Sequence, residues 1–63
     1  MCLSTVYRGS MEPDNILMKN VQTIECDGEN VILTDLLDRQ IIICGTLVKA
    51  NLTEGTALVS END

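Results

Sequence analysis

The first two residues place three metal-binding donors next to one another. A free α-amino group on Met1 supplies an amine nitrogen, and Cys2 supplies its backbone amide nitrogen and its thiolate. When a metal displaces the amide proton, these donors close two fused chelate rings in one plane, which suits square-planar Ni(II) or Cu(II) and fits tetrahedral Zn(II) poorly. A second chain at a two-fold axis would complete the coordination. The alternative is that Cys2 is a small apolar residue packed at the head of a first strand.

The other two cysteines, Cys26 and Cys44, lie 24 residues after Cys2 and then 18 residues further on. Neither spacing matches a zinc knuckle or ribbon. Each shares strand parity with an isoleucine, Ile24 or Ile42, so we predict that both cysteines are core residues, with a role as soft metal ligands left open. An odd number of cysteines argues against a secreted disulfide scaffold and favours the reducing cytoplasm.

The remaining polar residues do not predict an enzyme. The sequence has no histidine, so the commonest general base and metal ligand is absent, and the serines have no base to activate them. Carboxylates flank two turns but match no calcium-loop spacing. We therefore predict that these carboxylates are solvated turn charges, a group that comprises Glu25, Asp27, Glu29, Asp35 and Asp38.

The length and the net charge of the chain argue against further classes of function. The chain has 63 residues, which predicts one domain over residues 1–63, and it carries four Lys and Arg against ten Asp and Glu for a net charge of −6. The cations are dispersed and Tyr7 is the only aromatic residue, which argues against nucleic-acid binding. The sequence has no apolar run of membrane-spanning length and no secretory leader, so we expect a cytoplasmic protein.

The elements that must position these residues are short β-strands. Asp27 and Gly28 lie between two β-rich runs and predict a hairpin of residues 21–26 and 30–34. Gly45 predicts a bend between two further strands. The other predicted strands span residues 2–7, 39–44, 46–52 and 56–60, and residues 16–18 form either an edge strand or a helical turn. The predicted fold is all-β, a small SH3-like barrel of six or seven short strands.

Alternation of apolar residues predicts which strand faces are covered. Val48, Ala50 and Leu52 share one face, which predicts a half-buried strand. Residues 41–44 are apolar at both parities, so both faces of that strand should be covered. The cover is either the rest of the barrel with a loop or a second subunit, and the small core favours a homodimer.

Three parts of the sequence are similar to one known family: residues 1–7, which open with Met1-Cys2, the hairpin and leucine turn over residues 21–37, and residues 45–52. Through these parts, nearly the whole sequence resembles the CooT family of small nickel-binding proteins. This resemblance implies a homodimer of SH3-like subunits that binds Ni(II) through Cys2, with main-chain nitrogen near Met1 as co-ligand. It also implies a role in nickel delivery to carbon monoxide dehydrogenase.

The residues and this resemblance together predict a cytoplasmic, homodimeric Ni(II) metallochaperone that is not itself an enzyme. Its metal-binding residues are Cys2 and Met1, and its partners are a second copy of itself and a maturing nickel enzyme. The alternative is a metal-free β-barrel that docks a partner protein through residues 41–43 or a sheet edge.

Overall fold

The structure is a computed structural model that describes residues 3–61. Short runs of β-branched and other apolar residues, separated by turn residues, give strands throughout this range. Its elements in chain order are β1 (Ser4–Arg8), a 3-10 helix (Pro13–Asn15), β2 (Ile16–Asp27), β3 (Asn30–Asp35), β4 (Gln40–Asn51) and β5 (Thr56–Glu61).

The strands close into a barrel in their chain order. Each strand pairs antiparallel with the next, and β1 pairs parallel with β5 to complete the ring. Closure satisfies the backbone groups that an open sheet would leave at its edges. The predicted all-β class and small SH3-like barrel are confirmed.

The described residues form five strands, where six or seven were expected. Residues 16–18 are the beginning of β2, because the 3-10 helix ends just before them. The predicted bend at Gly45 is wrong, since β4 continues through this residue. A Cβ at Gly45 would collide with the carbonyl oxygen of Ser60 and lie 3.0 Å from Cα of Glu61. Glycine is therefore needed here for the close approach of β5 to β4.

The hairpin predicted at Asp27 and Gly28 is confirmed. Asp27 pairs with Asn30, which leaves Gly28 and Glu29 as the two turn residues. Gly28 has a φ of 61°, in the left-handed region that two-residue hairpins require and glycine adopts without strain.

The core is small and consists mainly of β-branched side chains. Every strand contributes to it, and its fully or almost fully buried apolar members are Val6, Val21, Val31, Leu33, Ile43, Ala57 and Val59. The long side chains Leu17, Met18, Ile24, Ile41 and Leu47 pack against this cluster from partly buried positions.

In residues 46–52, the face that carries Val48, Ala50 and Leu52 was predicted to be buried. This prediction is wrong. A register shift between Leu47 and Lys49 places Val48 at a β-bulge, which interrupts the alternation of the strand. Val48 is 57% exposed and Ala50 is also exposed. Leu52 lies beyond the end of β4 and is 79% exposed. A bulge is not visible in the pattern of residue types, so alternation alone assigned Val48 and Ala50 to one face, whereas Ala50 pairs with the buried Ala57 after the bulge.

Candidate functional site

The two predicted metal ligands, Met1 and Cys2, lie outside the described residues 3–61. The structure does describe the point at which the chain enters the barrel, Leu3, and the two turns on either side of it. Leu3 and these two turns are the described residues nearest to the start of the chain.

Leu3 enters the barrel against the turn between β4 and β5. The carbonyl oxygen of Leu3 lies 3.1 Å from the position that a Cβ would take on Gly55. The backbone N–H of Thr5 donates a 2.9 Å hydrogen bond to the carbonyl oxygen of Gly55. Because Gly55 also has a φ of 72°, this position favours glycine both by conformation and by space.

Hydrogen bonds within the β4–β5 turn order its backbone. The N–H of Gly55 donates to the carbonyl oxygen of Asn51 at 2.9 Å, and the N–H of Glu54 donates to Asn51 Oδ1 at 3.1 Å. The Asn51 amide in turn donates to Glu54 Oε1 at 3.1 Å. The exposed side chain of Leu52 therefore extends from an ordered turn.

The turn between β3 and β4 is organised by the buried side chain of Asp35. Asp35 Oδ1 accepts the backbone N–H groups of Leu37 and Arg39, both at 2.9 Å. Asp35 Oδ2 accepts Arg39 Nε at 2.7 Å. The backbone carbonyl oxygen of Arg39 also accepts the N–H of Asp35, so the two residues are joined through side chains and backbone.

The environment of Asp35 lowers the pKa of its carboxyl group. Burial disfavours the charged carboxylate and by itself raises the pKa. The hydrogen bonds from the Arg39 backbone and side chain and from the Leu37 N–H, with the positive charge of Arg39, lower it by more in total. The pKa of Asp35 therefore lies below its ordinary value, and the side chain is a carboxylate at neutral pH.

Asp35 was predicted to be a solvated turn charge, and this prediction is wrong because the residue is only 2% exposed. Strand parity carries the signal that was missed: in β3, Val31 and Leu33 are buried, and Asp35 is the next residue at that parity. Asp38 is exposed as expected and adopts a φ of 64° in the turn.

The β3–β4 turn is joined to the strands beside the chain entry. The N–H of Leu36 donates to the carbonyl oxygen of Asn20 at 2.9 Å. Val21, the next residue of β2, pairs with both Asp35 and Ser4. This turn therefore lies on the β2 side of the chain entry, whereas the β4–β5 turn lies on the β5 side.

Both turns expose large apolar side chains. Leu36 is 56% exposed and Leu37 is 70% exposed in the β3–β4 turn, and Leu52 is 79% exposed in the β4–β5 turn. We call these three leucines the barrel-end leucines. They flank the residue at which the chain enters the barrel.

The prediction that Cys26 and Cys44 are core residues is wrong, because both are free and exposed. Cys26 pairs with the buried Val31, but it lies near the tip of the hairpin, beyond the residues of β2 that pair with β1. Cys44 has the opposite parity to the buried Ile43 and faces outward. The two cysteines therefore lie on opposite faces of the sheet with β3 between them, which prevents them from sharing one metal ion.

The carboxylates of the β2–β3 hairpin, Glu25, Asp27 and Glu29, are exposed as predicted. Within residues 3–61, no three His, Cys, Asp or Glu side chains are grouped closely enough to hold a metal ion.

The exterior of β3 and β4 carries a second apolar feature. Ile32 pairs with Ile42, and Ile42 is 67% exposed whereas Ile41 and Ile43 pack into or against the core. The expectation that the barrel or a loop covers both faces of residues 41–44 is wrong for the single chain. The second explanation, cover by another subunit, stays a prediction.

Across the described residues, there is no helix with the length and apolarity needed to cross a membrane.

Structural comparison places this chain among small closed β-barrels. It matches the crystal structure described as a "putative CooT" from Carboxydothermus hydrogenoformans with a TM-score of 0.83. The match covers 98% of this chain and 100% of the other, at 13% sequence identity. At this identity the similarity establishes the shared fold.

The family follows from the sequence itself. The profile of the CooT family, described as "CO dehydrogenase accessory protein CooT", matches residues 1–60. No curated protein matches the sequence. Because the profile covers almost the whole chain, this protein belongs to the CooT family of accessory proteins.

Proposed function

We propose that this protein is a cytoplasmic Ni(II) carrier that acts in the maturation of carbon monoxide dehydrogenase or a related nickel enzyme. The observation that carries the proposal is the family match, which begins at Met1 and includes Cys2. The family is that of accessory proteins, so the role proposed is delivery of the metal and not catalysis.

The donors at the start of the chain support nickel as the cargo. The Met1 amine, the Cys2 amide nitrogen and the Cys2 thiolate form two fused chelate rings that fit a square plane. A soft thiolate with nitrogen donors is a poor site for Mg²⁺ or Ca²⁺, which prefer oxygen. In the described residues there is no grouped set of ligands to compete with this site.

Release of the metal would occur by ligand exchange with the client enzyme. Ligands of the client would replace the donors of this site one at a time: the thiolates, the Met1 amine and the Cys2 amide nitrogen would each leave as a client ligand binds Ni(II), and the released amide nitrogen would take a proton from water. Such transfer requires a site that an incoming ligand can reach. The start of a chain meets this requirement better than a closed site inside the barrel.

The proposed active form is a homodimer in which two N-termini share one nickel ion. One chain offers three donors at its N-terminus, whereas a square-planar ion takes four. A two-fold axis close to Cys2 would bring the thiolate of the second chain to the same ion. The small core of a 63-residue chain would also gain stability from burial against a second copy.

Nickel titration of cysteine variants tests the Cys2 assignment. The wild type, Cys2→Ser, Cys26→Ser and Cys44→Ser proteins are titrated with Ni(II) by calorimetry, and thiolate-to-nickel charge transfer is followed in the near ultraviolet. We expect stoichiometric binding and charge transfer in all proteins except Cys2→Ser. Undiminished binding by Cys2→Ser would remove Cys2 from the site.

A second titration tests the terminal amine. Protein with an acetylated Met1 amine is compared with unmodified protein, after mass spectrometry has verified that Met1 is retained in both. We expect acetylation to weaken Ni(II) binding because it removes one of the three donors. Equal affinity of the two proteins would show that the amine is not a ligand.

The alternative function is a metal-free interaction module, and the exposure of Ile42 favours it. This side chain, paired with Ile32 on the barrel exterior, would dock an apolar partner segment. The alternative predicts no stoichiometric metal uptake. Native mass spectrometry with and without Ni(II) separates the two functions, since it reports the metal count and the number of chains together.

A further inference from the structure

We propose that the barrel exterior across β2, β3 and β4 docks a basic segment of another protein, through an apolar side chain and a cation of that segment. This inference goes beyond the proposed function, because it holds for a nickel carrier and for a metal-free module alike. The surface consists of two rows of residues, with one residue from each strand in each row. We call it the outer face; one row is Glu25, Ile32 and Ile42, and the other is Asp27, Asn30 and Cys44.

The register of the strands shows that the outer face points away from the core. In β3, Val31 and Leu33 are buried, so Asn30 and Ile32, at the other parity, face outward. Cross-strand partners lie on the same side of a sheet. The partners of Asn30 and Ile32 in β2 and β4 therefore also face outward, and all four of these partners are exposed.

The apolar centre of the outer face is the pair Ile32 and Ile42. Ile42 is 67% exposed, whereas its neighbours Ile41 and Ile43 pack into or against the core. Covering Ile42 would remove apolar surface from water, which is favourable. The next row of the sheet is polar and uncharged, and in it Gln40 Nε2 donates a 3.1 Å hydrogen bond to Thr34 Oγ1. The apolar centre is therefore small and has a polar border.

The charges of the outer face have one sign. Glu25 lies in the row of the isoleucines, Asp27 lies in the adjacent row, and the exposed Glu29 follows in the hairpin turn. Neither row contains a cation. Arg39, the cation closest along the chain, precedes β4 at the far end from the hairpin tip, where its guanidinium binds the buried Asp35. The outer face therefore attracts the lysine or arginine side chains of a partner.

The same distribution of charge argues against a second copy of this chain as the occupant. Two copies joined through their outer faces would bring Glu25 and Asp27 of both chains into one contact that contains no cation. Carboxylates that leave water without a partner lose hydration and gain no compensating interaction. A segment with both apolar and basic side chains avoids this loss and also covers Ile42.

The size of the outer face suits weak and reversible binding. Neighbouring strands lie about 4.8 Å apart and a strand rises about 3.4 Å per residue, so the two rows span roughly 10 Å by roughly 7 Å before side chains are counted. A standard interface buries about 800 Å² per partner, which is several times this area. The docked segment is therefore short, and its complex belongs to the small, transient class.

Peptide binding to the wild-type protein tests the chemistry of the occupant. The probe is a fluorescein-labelled peptide in which two isoleucines are flanked on both sides by lysines. One control peptide has serine in place of isoleucine, and the other has glutamate in place of lysine. By fluorescence anisotropy, we expect the probe to bind about fivefold more tightly than either control. Equal binding of the probe and the serine peptide would overturn the proposal, since charge alone would then account for the binding.

Substitutions on and off the outer face locate the binding. Ile42→Thr removes the apolar centre and Glu25→Gln removes a carboxylate. Val48→Thr and Glu12→Gln are the matched controls, since they make similar changes at exposed residues elsewhere. All four side chains are exposed, so the variants should fold, which circular dichroism verifies. We expect each outer-face variant to weaken probe binding about threefold or more and each control to stay within about twofold of wild type. Equal losses in the controls would overturn the assignment.

The two exposed cysteines report where the probe lies. Cys44 belongs to the outer face, whereas Cys26 lies on the opposite face of the sheet. In a Cys2→Ser protein, we expect saturating probe to slow the alkylation of Cys44 and to leave the alkylation rate of Cys26 unchanged. Protection of Cys26 alone, or equal protection of both thiols, would overturn the placement of the probe on the outer face.

Light scattering and nickel titration separate this proposal from a second copy and from the nickel function. A solution mass that falls on Ile42→Thr substitution would assign the outer face to a second copy and overturn the proposal. We expect Ile42→Thr to keep the wild-type mass and the wild-type Ni(II) affinity. A protein that binds the probe as expected but no Ni(II) would support the outer face and contradict the nickel function. A protein that binds Ni(II) but not the probe would do the reverse.

Discussion

Asp35 and Arg39 form an ion pair in which the carboxylate is buried and the guanidinium is largely exposed. Asp35 Oδ2 lies 2.7 Å from Arg39 Nε, and the two side chains are 3% and 72% exposed. Arg39 also donates its backbone N–H to the same carboxylate. The pair therefore fixes the backbone of the turn that carries Leu36 and Leu37.

Replacement of Asp35 by asparagine should destabilise the fold. The amide retains an oxygen for the N–H groups of Leu37 and Arg39, but it loses the negative charge that Arg39 neutralises and places an NH₂ group opposite Arg39 Nε. We expect a decrease of several degrees in the melting temperature, measured by circular dichroism.

Asp38→Asn is the matched control for Asp35→Asn. Asp38 is exposed in the same turn, and asparagine tolerates its φ of 64°. Its stability should stay within about 0.5 kcal/mol of wild type, as is usual for surface substitutions. Equal destabilisation by both substitutions would contradict the role assigned to Asp35.

The lowered pKa of Asp35 predicts how stability depends on pH. The folded protein binds a proton at Asp35 less readily than the unfolded chain, whose carboxyl has the ordinary pKa of about 3.8. The stabilising contribution is therefore fully present above this value and is lost as pH falls through the lower pKa of the folded state. Urea denaturation between pH 6 and pH 2 should show a steeper acid limb for wild type than for Asp35→Asn. Parallel limbs would show that Asp35 does not cause this dependence.

Residue types predicted the fold class and the hairpin, because these depend on local turn chemistry and on the spacing of apolar runs. Residue types did not predict the continuity of β4, since Gly45 serves a close approach of backbones that are distant in sequence. They also did not predict the bulge at Val48, which depends on the register between β4 and β5. Tertiary pairing decides both features.

In the candidate site, too, residue types predict the local features but not the features that depend on tertiary structure. The donor chemistry of Met1 and Cys2 is local and can be read from two adjacent residues. The burial of Asp35 and the exposure of Cys26 depend on where the core ends, and a short sequence window carries little information about this. Strand parity would have placed Asp35 inward, had the length of β3 been known.

Gly55→Ala should destabilise the protein more than Gly9→Ala. Both glycines have positive φ, 72° and 80°, so alanine is strained at either position by about 1 kcal/mol or more. Only at Gly55 would the new Cβ also press on the carbonyl oxygen of Leu3, since nothing lies within 4 Å of the corresponding position at Gly9. Urea denaturation of the two variants separates the shared strain from the additional contact. A larger loss of stability in Gly9→Ala would contradict the packing of Leu3 against Gly55.

The exposed cysteines should be modified readily but should not pair within one chain. Disulfide bonds require Cα atoms about 4.4–6.8 Å apart, whereas Cys26 and Cys44 lie on opposite faces with β3 between them. In a Cys2→Ser background, we expect an alkylating reagent to label both thiols of the native protein at rates similar to those in the urea-unfolded protein.

Mild oxidation of the same Cys2→Ser protein tests the separation of the two thiols. Peptide mapping by mass spectrometry should find disulfides only between different chains, and their yield should decrease on dilution because their formation is bimolecular. The Cys26→Ser and Cys44→Ser variants in this background identify which thiol forms each cross-link. A Cys26–Cys44 disulfide within one chain, with a yield independent of concentration, would contradict the register of β2, β3 and β4, since the two strands that carry the cysteines would have to move together across β3.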